Sequence, residues 1–154
     1  MPLAGMRVAI VIGDGSDESA IALVQKALRA TGAQTVLVGH RPGPIATSGG
    51  THRPEHTVLN SDAQSFDAVV VPGGDTEALT SEPRAVDFVG NACGLEKPVA
   101  AIGNGRAVVE ASGSAGVGLV RGDDAQVMRV ARELIMALAA GPQWARRQNA
   151  LLSA

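Results

Sequence analysis

The sequence predicts an α/β fold built on a parallel sheet. Three observations predict it. Four short apolar runs rich in Val, Ile and Ala each stop at a glycine-containing turn, and such runs are what a strand buried on both faces requires. Segments with apolar residues at helical spacing alternate with those runs, the pattern of βαβ units. The 154 residues, 45% of them hydrophobic, are enough for one domain over 1–154 with a sizeable core, and neither an internal repeat nor a separating linker divides it.

Arg7–Ile12, "RVAIVI", is the first strand, turned by Gly13-Asp14-Gly15. Ser16 is the expected N-cap of the helix that follows, and Asp17 and Glu18 suit its positive end. Ile21, Val24 and Leu28 mark the buried face, and Gly32 ends the helix as a C′ glycine. Gln34–Gly39 is the second strand. Residues 40–65 are rich in Gly, Pro and polar side chains, with Gly49-Gly50 predicting a small hairpin. Ala68–Val71 is a strongly apolar strand stopped by Pro72-Gly73-Gly74. Ser81 with Pro83 starts a helix carrying Val86, Val89 and Cys93, which Gly94 closes. Val99–Ile102 is the next strand. A short helix follows Gly105 and ends near Gly113, and "GVGLV" at 116–120 is a last weak strand. Asp123–Ala140 is the clearest helix, with Val127, Val130, Leu134 and Leu138 on one face. Gly141-Pro142 stops it before a basic tail containing Trp144.

Composition excludes several function classes. A net charge of −2 and only three aromatic residues, Phe66, Phe88 and Trp144, leave neither an electrostatic footprint nor a stacking platform for nucleic acid. No apolar run approaches the length of a membrane span. The chain begins on a strand rather than on a secretory leader, and the single cysteine fits a reducing cytoplasm.

Parallel sheets bind ligands beyond the carboxyl ends of their strands. Here those ends are Gly13–Gly15, Pro72–Gly74 and Gly103–Gly105, expected to converge on one shallow crevice lined by Asp14, Gly15, Glu18, Gly73, Gly74, Asp75, Asn104 and Gly105. A dinucleotide site is disfavoured: the third glycine of a phosphate-binding turn is replaced by Glu18, and Asp14 and Asp17 crowd the same helix entrance. A metal site would draw on His52 and His56, with His40, Glu55 and Asp62 nearby in sequence, but Pro54 intervenes and no cysteine joins them; no metal and no cofactor is expected. Cys93 lies in phase with Val86 and Val89 and reads as a buried structural thiol. In Arg121-Gly122-Asp123 the aspartate reads as the cap of the long helix. The turn in "KPVAAIGNGRAVVE" stands where α/β enzymes place a nucleophile, yet Gly103, Asn104 and Gly105 carry none. Successive backbone N–H groups at Gly73, Gly74, Asn104 and Gly105 offer at most a small anion nest.

"FDAVVVPGG" followed by "KPVAAIGNGRAVVEASG" resembles the PfpI-like (class I glutamine amidotransferase-like) superfamily. The resemblance implies a flavodoxin-like three-layer sandwich with a central, mostly parallel sheet. Enzymatic members carry a cysteine at the strand-to-helix turn, commonly as A-I-C-H-G. Matched to Ala101-Ile102-Gly103-Asn104-Gly105, the cysteine falls on Gly103 and the next residue on Asn104. The glutamate those members place early in the first helix falls on Ala20, with Glu18 on another helical face. "LVGHRPGPIATSGG" and the tail "GPQWARR" resemble, more narrowly, the C-terminal domain of large-subunit haem catalases. With no tyrosine, the chain cannot supply the phenolate haem ligand of those enzymes.

The resemblance implies a non-catalytic structural or protein-interaction module, oxidative-stress related or chaperone-like in action. Its partners would be a second copy of the chain as a homodimer, protein clients, or a catalase-like protein. The alternative is a small-molecule enzyme or binder of glyoxalase, deglycase or hydrolase type, using Asn104, Asp75, Glu18 or Asp14 in the crevice. A third reading is anion or nucleotide sensing at the glycine turns. The elbow argument further predicts that Gly103 keeps a positive φ, as a strained nucleophile turn would. Met128, Ile135 and Met136 lie off the main stripe of the last helix, and a self-association surface is expected to draw on this helix, the excursion at 40–65 or the tail around Trp144.

Overall fold

The computed structural model describes residues 2–114 and 119–141. Six parallel strands form the central sheet: β1 (Arg7–Ile12), β2 (Gln34–Gly39), β5 (His56–Thr57), β6 (Ala68–Val71), β7 (Val99–Ile102) and β8 (Leu119–Gly122). Their spatial order is β5-β2-β1-β6-β7-β8. Order therefore reverses between β1 and β6, and the turns leaving these two strands face each other at the switch point. A separate antiparallel hairpin joins β3 (Ile45–Ala46) to β4 (Thr51–His52) across Gly49-Gly50.

The alternation of side chains along the strands sorts the core into two layers. Val8, Ile10, Ile12, Val70, Ile102 and Val120 point to one face. There they pack on α1 (Glu18–Arg29) and α5 (Val127–Ala140) through Ile21, Val24, Leu28, Val130 and Leu134. Ala9, Val11, Val38, Val69, Val71 and Ala101 point the other way, against α2 (Glu77–Thr80), α3 (Pro83–Gly94) and α4 (Arg106–Ala111). This is the flavodoxin-like three-layer sandwich.

Helix ends show where local chemistry departs from expectation. Ser16 does not cap α1. Its hydroxyl is fully buried and accepts the Gly13 N–H at 2.9 Å, closing the turn, while Asp17 caps by accepting the Ser19 N–H at 3.1 Å. Gly32 does close the helix: at φ +93 it lets its own N–H reach the Arg29 carbonyl and the Ala33 N–H reach that of Leu28. For α3 the cap is Glu82, which accepts the Arg84 N–H at 3.1 Å, because Ser81 is taken up in closing the four-residue α2. Gly94 is the last residue of α3, as expected, and the left-handed residue beyond it is Glu96 at φ +59, with its N–H on the Cys93 carbonyl and that of Lys97 on Ala92. Strand β8 begins at Leu119, so the expected strand at 116–120 lies partly outside the described residues, as does the tail holding Trp144. Asp123 caps the 3-10 turn Asp124–Gln126 that leads into the last helix, accepting the Ala125 N–H while the Gln126 side chain accepts the Asp123 N–H, so α5 itself begins at Val127 rather than at Asp123. Cys93 is half-buried, not buried, against the second core layer.

The stripe on α5 sets a mechanical expectation. Leu134 is fully buried and Met136 is 66% exposed. Leu134→Ala should cost about 2–5 kcal/mol in urea unfolding, and Met136→Ala should stay within about 0.5 kcal/mol.

Candidate functional site

The three turns meet at the carboxyl edge of the sheet, and they meet by bonding to one another. The Asp17 N–H donates to the Gly73 carbonyl at 3.0 Å and the Asp75 N–H to that of Gly15 at 3.0 Å, so Ser16 and Gly74 pair as a one-residue antiparallel bridge. Gly74 sits at φ +86, where a Cβ would fall 2.6 Å from the Gly15 carbonyl oxygen and 2.8 Å from the Asp17 nitrogen. Only glycine permits this approach. The Asn104 side-chain amide donates to the Gly74 carbonyl at 3.0 Å, and the Asn104 backbone carbonyl accepts the Thr76 hydroxyl at 3.2 Å. Asn104 thus serves as a strut between the second and third turns.

Gly103 has φ +53, the positive value expected of an emptied elbow, and lies in a single 3-10 turn, Gly103–Gly105, leading into α4. A residue from a distant part of the chain fills the space beside it. A Cβ built on Gly103 would collide with Asp124 Oδ1 and lie 2.8 Å from its Cγ. A Cβ on Gly73 would fall 2.6 Å from the same oxygen. The Asp124 carboxylate, carried by the turn before α5, therefore occupies the volume a nucleophile's side chain would need. It also puts a negative charge against the turns expected to form an anion nest.

The acidic residues of the expected crevice have other employment. Asp14 accepts the Ala46 N–H at 3.0 Å, the Arg41 guanidinium at 3.0 and 3.2 Å, and lies 3.3 Å from His40 Nε2. The Ala46 N–H, with the Arg41 and His40 side chains, outweighs burial and holds the Asp14 carboxyl below its ordinary value. Glu18 accepts the Thr47 hydroxyl at 2.7 Å and pairs with His52 Nε2 at 2.8 Å. Burial pushes its carboxyl up, but the Thr47 and His52 contacts prevail and hold it low. Both carboxylates fasten the β3–β4 hairpin over the start of α1. Asp75 turns back to accept the Glu77 N–H at 3.0 Å. Ala20, the position matched to the family glutamate, is fully buried in the α1–α5 core layer.

Donors at the N-terminus of α1 are spent as well. The Asp17 N–H goes to Gly73, the Glu18 N–H to the Ser48 hydroxyl at 3.0 Å, and the Ser19 N–H to Asp17. A phosphate arriving there would find no row of open amides. The three histidines part company: His40 joins Asp14, His52 joins Glu18, and His56 lies on β5. Among the described residues no three His, Cys, Asp or Glu side chains converge on a metal-sized site. Burial pushes the Cys93 thiol up, against hydrogen bonds from Ser114 and its own backbone, which keeps it a poor thiolate. Sequence reasoning did not find Asp124; its neighbour Asp123 carried the recognisable capping pattern, and only tertiary packing brings Asp124 to Gly103.

A parallel sheet of this strand order with helices on both faces defines the class as flavodoxin-like, and comparison with known proteins agrees. The chain belongs to the DJ-1/PfpI family, whose pattern matches residues 6–118. Over 105 residues it is 35% identical to "Catalase HPII" of Pseudomonas aeruginosa, a match covering 66% of this chain but only 15% of the catalase. A two-domain protein from Anabaena variabilis, containing DJ-1/ThiJ/PfpI-like and ferritin-like domains, is similar at 28% identity and TM-score 0.65, over 69% of this chain and 33% of that one. DJ-1beta of Drosophila melanogaster shares the fold at TM-score 0.79 and 16% identity, over 96% of this chain and 97% of its own. No described helix is long and apolar enough to cross a membrane.

The packing of Asp124 on Gly103 is open to a double-mutant cycle. Gly103→Ala should cost about 1–3 kcal/mol from positive φ and collision. In an Asp124→Ala background the same change should cost less, with a coupling of about 0.5–3 kcal/mol. Equal costs in both backgrounds would show that Asp124 does not fill the elbow.

Proposed function

We propose that this chain is a non-catalytic structural or protein-interaction module, working in the cytoplasm in an oxidative-stress or chaperone-like setting. One observation carries the reading: at the position matched to the family cysteine stands Gly103, and the Asp124 carboxylate fills the space its side chain would take. Covalent catalysis needs an attacking atom, a base beside it and donors for the developing charge. Here the first is absent, the base position is the buried Ala20, and the third faces a carboxylate. The relatives support a modular role, since their matching regions are fractions of larger proteins, a catalase and a ferritin-like fusion.

The module's partners are a second copy of itself, protein clients or a catalase-like protein. α5 supplies the surface for self-association. Met128 is 48% and Met136 66% exposed, whereas Ile135 is partly buried against the first core layer and drops out of the expected set. A lasting dimer needs on the order of 1,000 Å² of buried surface or more.

Assays of the full chain should find no glyoxalase, deglycase or protease turnover above background, and suppression of aggregation of a heat-stressed client enzyme. Turnover that disappears in Cys93→Ala or Asp124→Asn would overturn the reading. Sedimentation across a concentration series should show a dimer that Met128→Glu shifts toward monomer. A wild-type monomer at high micromolar concentration would remove the self-association surface.

A further inference from the structure

The β3–β4 hairpin lies over the turn that leaves β1, and polar bonds rather than packing hold it there. Of the described residues 41–55 only Ile45 is buried. The hairpin's own ladder is two residue pairs, Ile45 with His52 and Ala46 with Thr51, closed by the Thr47 N–H on the Gly50 carbonyl at 2.8 Å. Two backbone bonds tie it to the turn below: the Gly15 N–H donates to the Ala46 carbonyl at 2.8 Å and the Ser48 N–H to that of Ser16 at 2.9 Å. The side-chain fastenings converge on two carboxylates. Asp14 accepts the Ala46 N–H and faces Arg41 and His40 from the loop after β2. Glu18 accepts the Thr47 hydroxyl, pairs with His52, and lies under Gly49, where a Cβ would come 3.3 Å from its own. Two nearby carboxylates are turned elsewhere: Asp17 accepts the Ser19 N–H, and Asp75, whose Cβ packs on Gly15, accepts the Glu77 N–H.

We propose that the hairpin is a lid latched by Asp14 and Glu18, and that it opens as a unit, with the sheet intact, when these carboxylates are neutralised. A segment with one buried apolar side chain belongs to the low-stability end of a structure, where local opening precedes global unfolding. β1 and β6 belong to the other end, with side chains buried from Val8 to Ile12 and from Ala68 to Val71. The Asp14 and Glu18 side chains are 41% and 29% exposed, so solvent protons reach both. A proton on His40 or His52 adds attraction to its pair, and Arg41 stays cationic, so the latch is undone at the carboxylates. The Ala46 N–H, against burial, holds the Asp14 carboxyl low with help from Arg41 and His40; at Glu18 burial opposes, and the Thr47 and His52 contacts prevail. Both carboxyls therefore lie below their ordinary values in the folded chain. The latch is complete above the ordinary carboxylate range and is lost as pH falls through the lowered values. Opening frees the Gly15 and Glu18 N–H groups and uncovers the turn around Ser16 at the switch point. The inference concerns access to that point and is independent of the proposed role of the module.

Amide hydrogen exchange, followed residue by residue in the full chain, tests the latch. At neutral pH, Asp14→Asn combined with Glu18→Gln, with the fold checked by circular dichroism, should speed exchange at Ala46 and Ser48 by about tenfold or more. Ile10 and Val70 in the sheet should change by less than about twofold, and each single variant should fall between wild type and the double variant. In the wild type, rates corrected for the intrinsic effect of pH should show Ala46 and Ser48 losing protection between neutral pH and about pH 3 while Ile10 and Val70 keep theirs. In the double variant that pH dependence should be gone. Unchanged protection at Ala46 and Ser48 in the variants would overturn the proposal. So would acid loss of protection at all four amides together, which would mean global unfolding, or a double variant whose hairpin still responds to acid.

Discussion

The structure depends on one constraint: three turns at the carboxyl edge of the sheet close on each other at backbone distance. Gly74 lies against Gly15 and Asp17 with no room for a Cβ, and the paired Ser16 and Gly74 join the turns leaving β1 and β6. This is the topological switch point, where open α/β sheets ordinarily leave a ligand cleft. Here its backbone groups are consumed by the fold itself. Asn104 adds the third turn to the closure, and Asp124 lies over the elbow.

The closure organises what surrounds it. With the Asp17, Glu18 and Ser19 amides occupied, the positive end of α1 serves to anchor structure rather than to hold an anion. With Asp14 and Glu18 bound to Arg41, Thr47 and His52, two carboxylates of the expected crevice hold down the β3–β4 hairpin. A set of polar groups at the usual site is thus converted into braces.

Much of the fold was legible because the physics was local. β1, β2, β6 and β7 are continuous apolar runs with glycine stops, and α5 carries a regular stripe behind a capping aspartate. Errors arose where two neighbours compete for one role. Ser16 and Asp17 are both good caps, and the buried turn took the serine. Gly94 does end α3, but the left-handed position beyond it falls to Glu96, a residue type that rarely adopts it. The four-residue α2 and two-residue β5 are too short to have a period. At the site, the glycines and their positive φ followed from the turn pattern. The filling of the elbow by Asp124 did not, because no spacing rule links that aspartate to Gly103.

The central claim is that the elbow holds no reactive group. Its most direct test is to incubate the native chain with an excess of a small activated ester or dicarbonyl and locate adducts by intact-mass and peptide mass spectrometry. The account predicts only slow, scattered labelling of surface amines, with none on the residues of the three turns or on Asp124. A fast, stoichiometric adduct on Asp124, Asn104 or Asp75 would contradict it and return the site to the enzymes.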